Sequence, residues 1–115
     1  MAKFYKGSEV KFSISLTAPG FSMDEDDFEI EVASPRGSVK GYKNPPAGTP
    51  LDVLIFKETS DDSSGESAWF AIVDSSKLST GDLRVIATAH IPDPNANDGI
   101  RDDIAVASLG TLSNP

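Results

Sequence analysis

The sequence predicts an all-β fold, and three observations carry that prediction. Apolar residues alternate with polar ones over several short runs, which is the period of a strand with one side in a core. Clusters containing Pro or Gly separate the runs and supply the turns. No run keeps helical spacing for longer than a turn or two.

The most informative stretch is residues 83–109, LRVIATAHIPDPNANDGIRDDIAVASL. In its first arm Leu83, Val85, Ala87, Ala89 and Ile91 alternate with Arg84, Ile86, Thr88 and His90, so the odd positions are expected to face a core. In the second arm Ile104, Val106 and Ser108 share one side, with Ala105 and Ala107 on the other. Pro92-Asp93-Pro94 is expected to stop the ladder, because neither proline has an N–H to give. Asn97-Asp98-Gly99 then supplies residues that tolerate positive φ and turn the chain. The stretch reads as a long β-hairpin with a stiff acidic tip.

From the start of the chain, residues 1–8 place Phe4 and Tyr5 between Lys3 and Lys6, an edge strand or an arm that docks on a neighbour. Residues 9–17 (EVKFSISLT) form the cleanest strand, with Val10, Phe12, Ile14 and Leu16 on one side. Residues 18–27 are a loop with a Pro19-Gly20 turn signal and the acids 24–27, and Phe21 and Met23 are expected to cap one end of the core. Phe28, Ile30 and Val32 define a second half-buried strand, and Pro35-Arg36-Gly37 turns it into a short strand over 39–43. Residues 44–50 (NPPAGTP) are too proline-rich for regular structure and suit a crossover between sheets. Residues 51–59 (LDVLIFKET) are apolar on both parities, which predicts a central strand covered on both sides, and residues 68–73 (AWFAIV) are again apolar on both parities. Residues 60–67 read as a polar loop, and 74–80 as a single helical turn with Leu78 inward, ended by Gly81. The tail, 110–115, shows no pattern.

These elements amount to seven or eight mostly antiparallel strands in a single domain, 1–115. Their number and length predict an immunoglobulin-like β-sandwich, with a small closed barrel as the second choice. The expected core comprises Phe12, Ile14, Phe28, Ile30, Ile55, Trp69, Ala71, Val85 and Ala87.

Composition narrows function. Eighteen acids against ten bases give a net charge of −8, which disfavours nucleic acid as a partner and suits a soluble surface. There is no cysteine, so disulfides and thiolate metal sites are excluded. The opening MAKFYKGSEV has no apolar signal region, and no window is long and apolar enough for a membrane span.

Candidate chemistry is thin. His90 is the single histidine and lies on a strand without an evident nucleophile, so it reads as an ordinary strand residue. Asp93, Asn95 and Asn97 repeat at the spacing of a calcium loop, but Asp98 stands where that loop needs glycine and Ile104 where it needs glutamate. The acids 24–27 read as a solvated loop. A carboxylate pair for glycoside hydrolysis has no specific signature here. Trp69 inside AWFAIV reads as core before it reads as a sugar platform. No catalytic residue, metal site or cofactor is expected, and the chain is not read as an enzyme.

A resemblance adds to this reading. Leu78, Gly81-Asp82-Leu83, Ile91-Pro92-Asp93 and Asp98-Gly99-Ile100-Arg101 resemble the C-terminal half of small immunoglobulin-like virion proteins of tailed phages. Residues 6–32 are similar to the opening of the same proteins and of baseplate upper-protein N-terminal domains. The resemblance implies a non-enzymatic virion protein, made in the bacterial cytoplasm. It would be either a head auxiliary protein on the capsid or a tail or baseplate adaptor, with other virion proteins and its own copies as partners. The long receptor-binding extension usual in baseplate proteins does not follow, so the auxiliary protein is the first expectation. A carbohydrate- or surface-binding module is the alternative from another class. Candidate contacts with a neighbour are Phe4 and Tyr5 in the arm, and Asp93 and Asp98 in the tip, the acids meeting basic residues.

Overall fold

The computed structural model describes residues 3–49, 52–59 and 67–115. Its eight strands are β1 (Lys3–Tyr5), β2 (Glu9–Ile14), β3 (Asp27–Ser34), β4 (Gly37–Tyr42), β5 (Val53–Thr59), β6 (Ser67–Asp74), β7 (Gly81–Pro92) and β8 (Ile100–Ser113). They form a five-stranded sheet in the order β1-β8-β7-β3-β4 and a three-stranded sheet in the order β2-β6-β5. All pairings are antiparallel except β1 with β8. The architecture is all-β, with two sheets packed face to face.

Alternation puts the expected side chains between the sheets. Phe28, Ile30 and Val32 of β3 are buried at the centre, with Leu83 and Ala87 of β7 beside them and Val10, Ala71 and Val73 from the smaller sheet opposite. Fully burying a side chain of this size contributes roughly 1.5–3 kcal/mol. Phe12, Ile55, Trp69 and Val85 are half-buried and packed against that core, as are Phe21 and Met23 at its end. The hairpin register pairs Val85 with Ala107 and Ala87 with Ala105, and a bulge beside Leu83 shifts the inward side of β8 to Gly110 and Leu112. Such a bulge adds a residue to one strand and bends it.

Leu78 is buried at the end of a single 3-10 turn over Ser75–Lys77, which Asp74 caps by accepting a hydrogen bond from the Ser76 N–H at 3.0 Å. Ser75 is the buried polar residue among those described. Its hydroxyl donates to the Ser8 carbonyl at 2.6 Å and accepts from the Gly7 N–H at 3.0 Å, which ties the β1–β2 turn to the smaller sheet.

Five expectations are corrected. β5 is not a central strand but the edge of the three-stranded sheet, and Leu54 is 48% exposed on its outer side. β6 is central in that sheet but covered on one face only. Its outward Phe70 stacks on Phe56 at 6.2 Å, with the Lys11 ammonium over both rings. The chain from Gly110 is not patternless: β8 runs to Ser113, and Leu112 is buried because β1 and the bulge close over that end. Finally, the strand expected over 9–17 ends at Ile14, and the ladder passes one rung into Pro92, which sits opposite Ile100. That rung survives because the next bond is made by Asp93, whose N–H donates to the Gly99 carbonyl at 2.9 Å. The polar stretch 60–66 lies outside the described residues.

Candidate docking surface

β8 is the strand on which an interaction site can be built. It pairs with β7 along almost its whole length, while among the described residues β1 pairs with its other edge from Thr111 to Ser113. Among the described residues no strand lies beyond 100–107. The three-stranded sheet is also too narrow to reach over this part, so residues 100–108 are exposed on both faces. Ile104 is 62% exposed and Val106 59%, on the outer face next to Ile86 and Thr88 of β7.

On the inner face the small side chains of Ala105 and Ala107 roof one side of a groove of about 360 Å³. Phe12, Ile14 and Leu16 form its opposite wall, with Val85 at its base. The groove opens between β2 and β8. An exposed strand edge is a template for another strand, and proteins that avoid pairing blunt such an edge with charges, prolines or a covering loop. Here the charges Arg101, Asp102 and Asp103 stand at one end, and the segment 104–107 carries none.

The four residues expected to contact a neighbour are placed as follows. Phe4 packs half-buried against the protein's own core, while Tyr5 is 50% exposed with the Lys3 ammonium 5.6 Å from its ring. In the tip, Asp93 accepts from the Asn95 N–H at 2.9 Å and from Arg101 Nε at 3.2 Å, and Asp98 accepts from the Ile100 N–H at 3.1 Å. Both acids shape the hairpin turn. Asp98 also faces solvent, whereas Asp93 is half-buried. Tyr5 and Asp98 therefore lie at opposite ends of the uncovered length of β8.

Other candidate chemistry resolves into local structure. Both ring nitrogens of His90 face carboxylates, Nδ1 at 2.7 Å from Asp102 and Nε2 at 3.7 Å from Glu29, so neither is directed at a hydroxyl. Among the described residues no group of three or more His, Asp or Glu is placed to hold a metal. Trp69 packs edge-on against Phe28 at 5.5 Å and donates its indole N–H to Asp24 at 3.0 Å. Hydrogen bonds from Lys57 and from that indole, in that order, hold the Asp24 carboxyl below the usual carboxylate range. Lys43 closes the same end, donating to the carbonyls of Met23, Asp24 and Asp26 while lying over the Phe28 and Trp69 rings.

The β8 edge was not among the candidates read from the sequence. The signal for it was present in Ile104 and Val106, which share the outward side of the second arm.

No family model matches the chain, and no curated protein or solved structure matches it either.

Proposed function

We propose that this chain is a non-enzymatic virion structural protein of a tailed phage, a head auxiliary protein that docks on the capsid lattice. The single observation that carries the docking role is the uncovered length of β8, which presents Ile104 and Val106 to solvent beside an open groove. A strand edge of this kind recognises a partner by main-chain hydrogen bonds, with alternate side chains supplying the selectivity. The virion context rests on the resemblance carried by residues 78–83, 91–93 and 98–101. Strand order supports the immunoglobulin-like part of the reading. The set β2-β6-β5 opposite β8-β7-β3 matches the B, E, D and C, F, G arrangement, with β4 added beside β3 and β1 parallel to the last strand. The engagement of Trp69 with Phe28 and Asp24 disfavours the sugar-platform alternative.

The test is mass spectrometry of purified particles from a phage encoding the chain, followed by add-back of recombinant protein to particles lacking it. Wild-type protein is expected in the particles and on the add-back sample, and a variant with Ile104→Lys and Val106→Lys is expected to bind at least tenfold less. Particles that never contain the chain would overturn the virion role. Particles that retain the double variant as well as wild type would overturn the β8 contact.

A further inference from the structure

We infer that the outward face of β7 and β8 takes a basic protein segment, one that sets an apolar side chain on Ile86, Ile104 and Val106 and a lysine or arginine on Glu31. This rests on the reading of β8 as a docking strand and names the chemistry of what docks.

The register of the larger sheet puts these residues together. One outward row runs Lys40, Glu31, Ile86, Val106 from β4 to β8, and the next runs Tyr42, Glu29, Thr88, Ile104. A third brings Asp27, His90 and Asp102 level. Ile104 and Val106 are mostly exposed and Ile86 is half-buried, so the three form one patch with Thr88. A contiguous apolar patch with a polar rim marks a contact surface, whereas apolar residues scattered singly do not.

The rim selects the partner. Asp27, Glu29, Glu31 and Asp102 stand on this face against Lys40 and Arg84. Lys40 lies directly across the ladder from Glu31, but its ammonium goes to Glu29 at 3.4 Å. Asp27 accepts from the Asn44 amide at 2.6 Å, and Asp102 faces His90 Nδ1 at 2.7 Å. Glu31 is left with no cation within ion-pair distance among the described residues. The outer face of the smaller sheet differs. There the charge beside the apolar rings is already paired, Lys11 with Glu58 at 2.9 Å.

Neighbouring strands lie about 4.8 Å apart, so Glu31 is one strand from Ile86 and roughly 10 Å from Val106. A partner with an apolar side chain and a cation at that spacing covers the patch and gives Glu31 the charge-assisted bond it lacks. A second copy of this chain would bring a net charge of −8 and the same excess of acids. Nucleic acid and anionic lipid are repelled for the same reason.

The test is an NMR titration of the full chain with three short extended probe peptides: alternating lysine and leucine, lysine and serine, and glutamate and leucine. The lysine–leucine peptide is expected to shift the amides of Glu31, Ile86, Ile104 and Val106. It should bind at least tenfold tighter than either other peptide, and less tightly as salt rises. Glu31→Gln should weaken it at least threefold with an unchanged melting temperature, whereas Glu58→Gln on the smaller sheet should not. Shifts centred on the smaller sheet, equal binding of the three peptides, or no binding at millimolar peptide would each overturn the proposal. So would equal effects of Glu31→Gln and Glu58→Gln. If the Ile104→Lys and Val106→Lys variant fails to enter particles while Glu31→Gln docks as wild type does, β8 still docks and the basic partner is overturned.

Discussion

The two long sides of the sandwich are built in opposite ways. On the β4/β5 side the sheets close on each other through backbone. Gly41 lies so near Val53 that a Cβ there would sit 2.2 Å from the Val53 carbonyl oxygen. No side chain larger than hydrogen fits, so the two edge strands seal that side between them. On the β2/β8 side the larger sheet extends past the smaller one, and a groove remains. Closing a sandwich thus takes one residue without a side chain where the sheets meet. Leaving it open takes a sheet wider than the one it faces, with alanines at its rim to keep the uncovered apolar area small.

Substitutions that treat the two sides alike would break this contrast, and the largest effect belongs to the closed side. Gly41→Val is expected to cost about 3–5 kcal/mol in urea unfolding, because the clash is with backbone of the opposite sheet. Between the sheets, Ile14→Ala should cost ~2–5 kcal/mol, since Ile14 is 8% exposed and its removal leaves a cavity. Ser75→Ala should cost about 0.5–1.5 kcal/mol by removing the hydrogen bonds to the Gly7 N–H and the Ser8 carbonyl. Hydrogen exchange in that variant should rise at the β1–β2 turn before it rises in β4. Ile104→Ala, on the open side, should stay within about 0.5 kcal/mol when measured on the monomer. A loss there equal to that of Ile14→Ala would mean the open side is not open.

The smallest effect concerns the latch at the loop end. Asp24 is held below the usual carboxylate range in the folded protein, so its contribution is present above the ordinary carboxylate pKa and is lost as the pH falls through the depressed one. Trp69 emission should therefore shift on acidification below the usual carboxylate range. Asp24→Asn, which keeps an acceptor for the indole N–H but does not titrate, should abolish that shift. An unchanged acid transition in Asp24→Asn would assign it to another group.

Much of the fold was legible in the sequence because alternation is local. The parities of β2, β3 and β7, the turn at Pro35, the inward Leu78 and the capping Phe21 and Met23 all follow from residues a few positions apart. What escaped was non-local. Residues 51–59 look central because Leu54 and Phe56 are apolar opposite Val53 and Ile55. Their outer face is instead screened by the Lys11 stem, which lies over Phe56 and Phe70 and ends on Glu58 at 2.9 Å. The docking edge escaped for the converse reason. Alternation puts Ala105 and Ala107 on one side of the arm, and only the number of strands in the opposite sheet reveals that they line an open groove. Of the contacts expected from the arm and tip, the sequence indicated charge and aromatic character. It did not indicate that Phe4 would be spent on the protein's own core, or that Asp93 would be spent on its own hairpin.

The parallel alignment of β1 with the end of β8 has a mechanical consequence. Because Lys3 pairs with Thr111 and Tyr5 with Ser113, a force that draws the two ends of the chain apart along the strand axis slides one strand past the other. It does not peel them. Every rung, together with the Lys6 N–H donated to the Ser113 carbonyl at 2.8 Å, then bears load at once, and none can fail before the rest. A ladder of three residues loaded in this way acts as a shear clasp, strongest when the two ends are pulled along the strand axis.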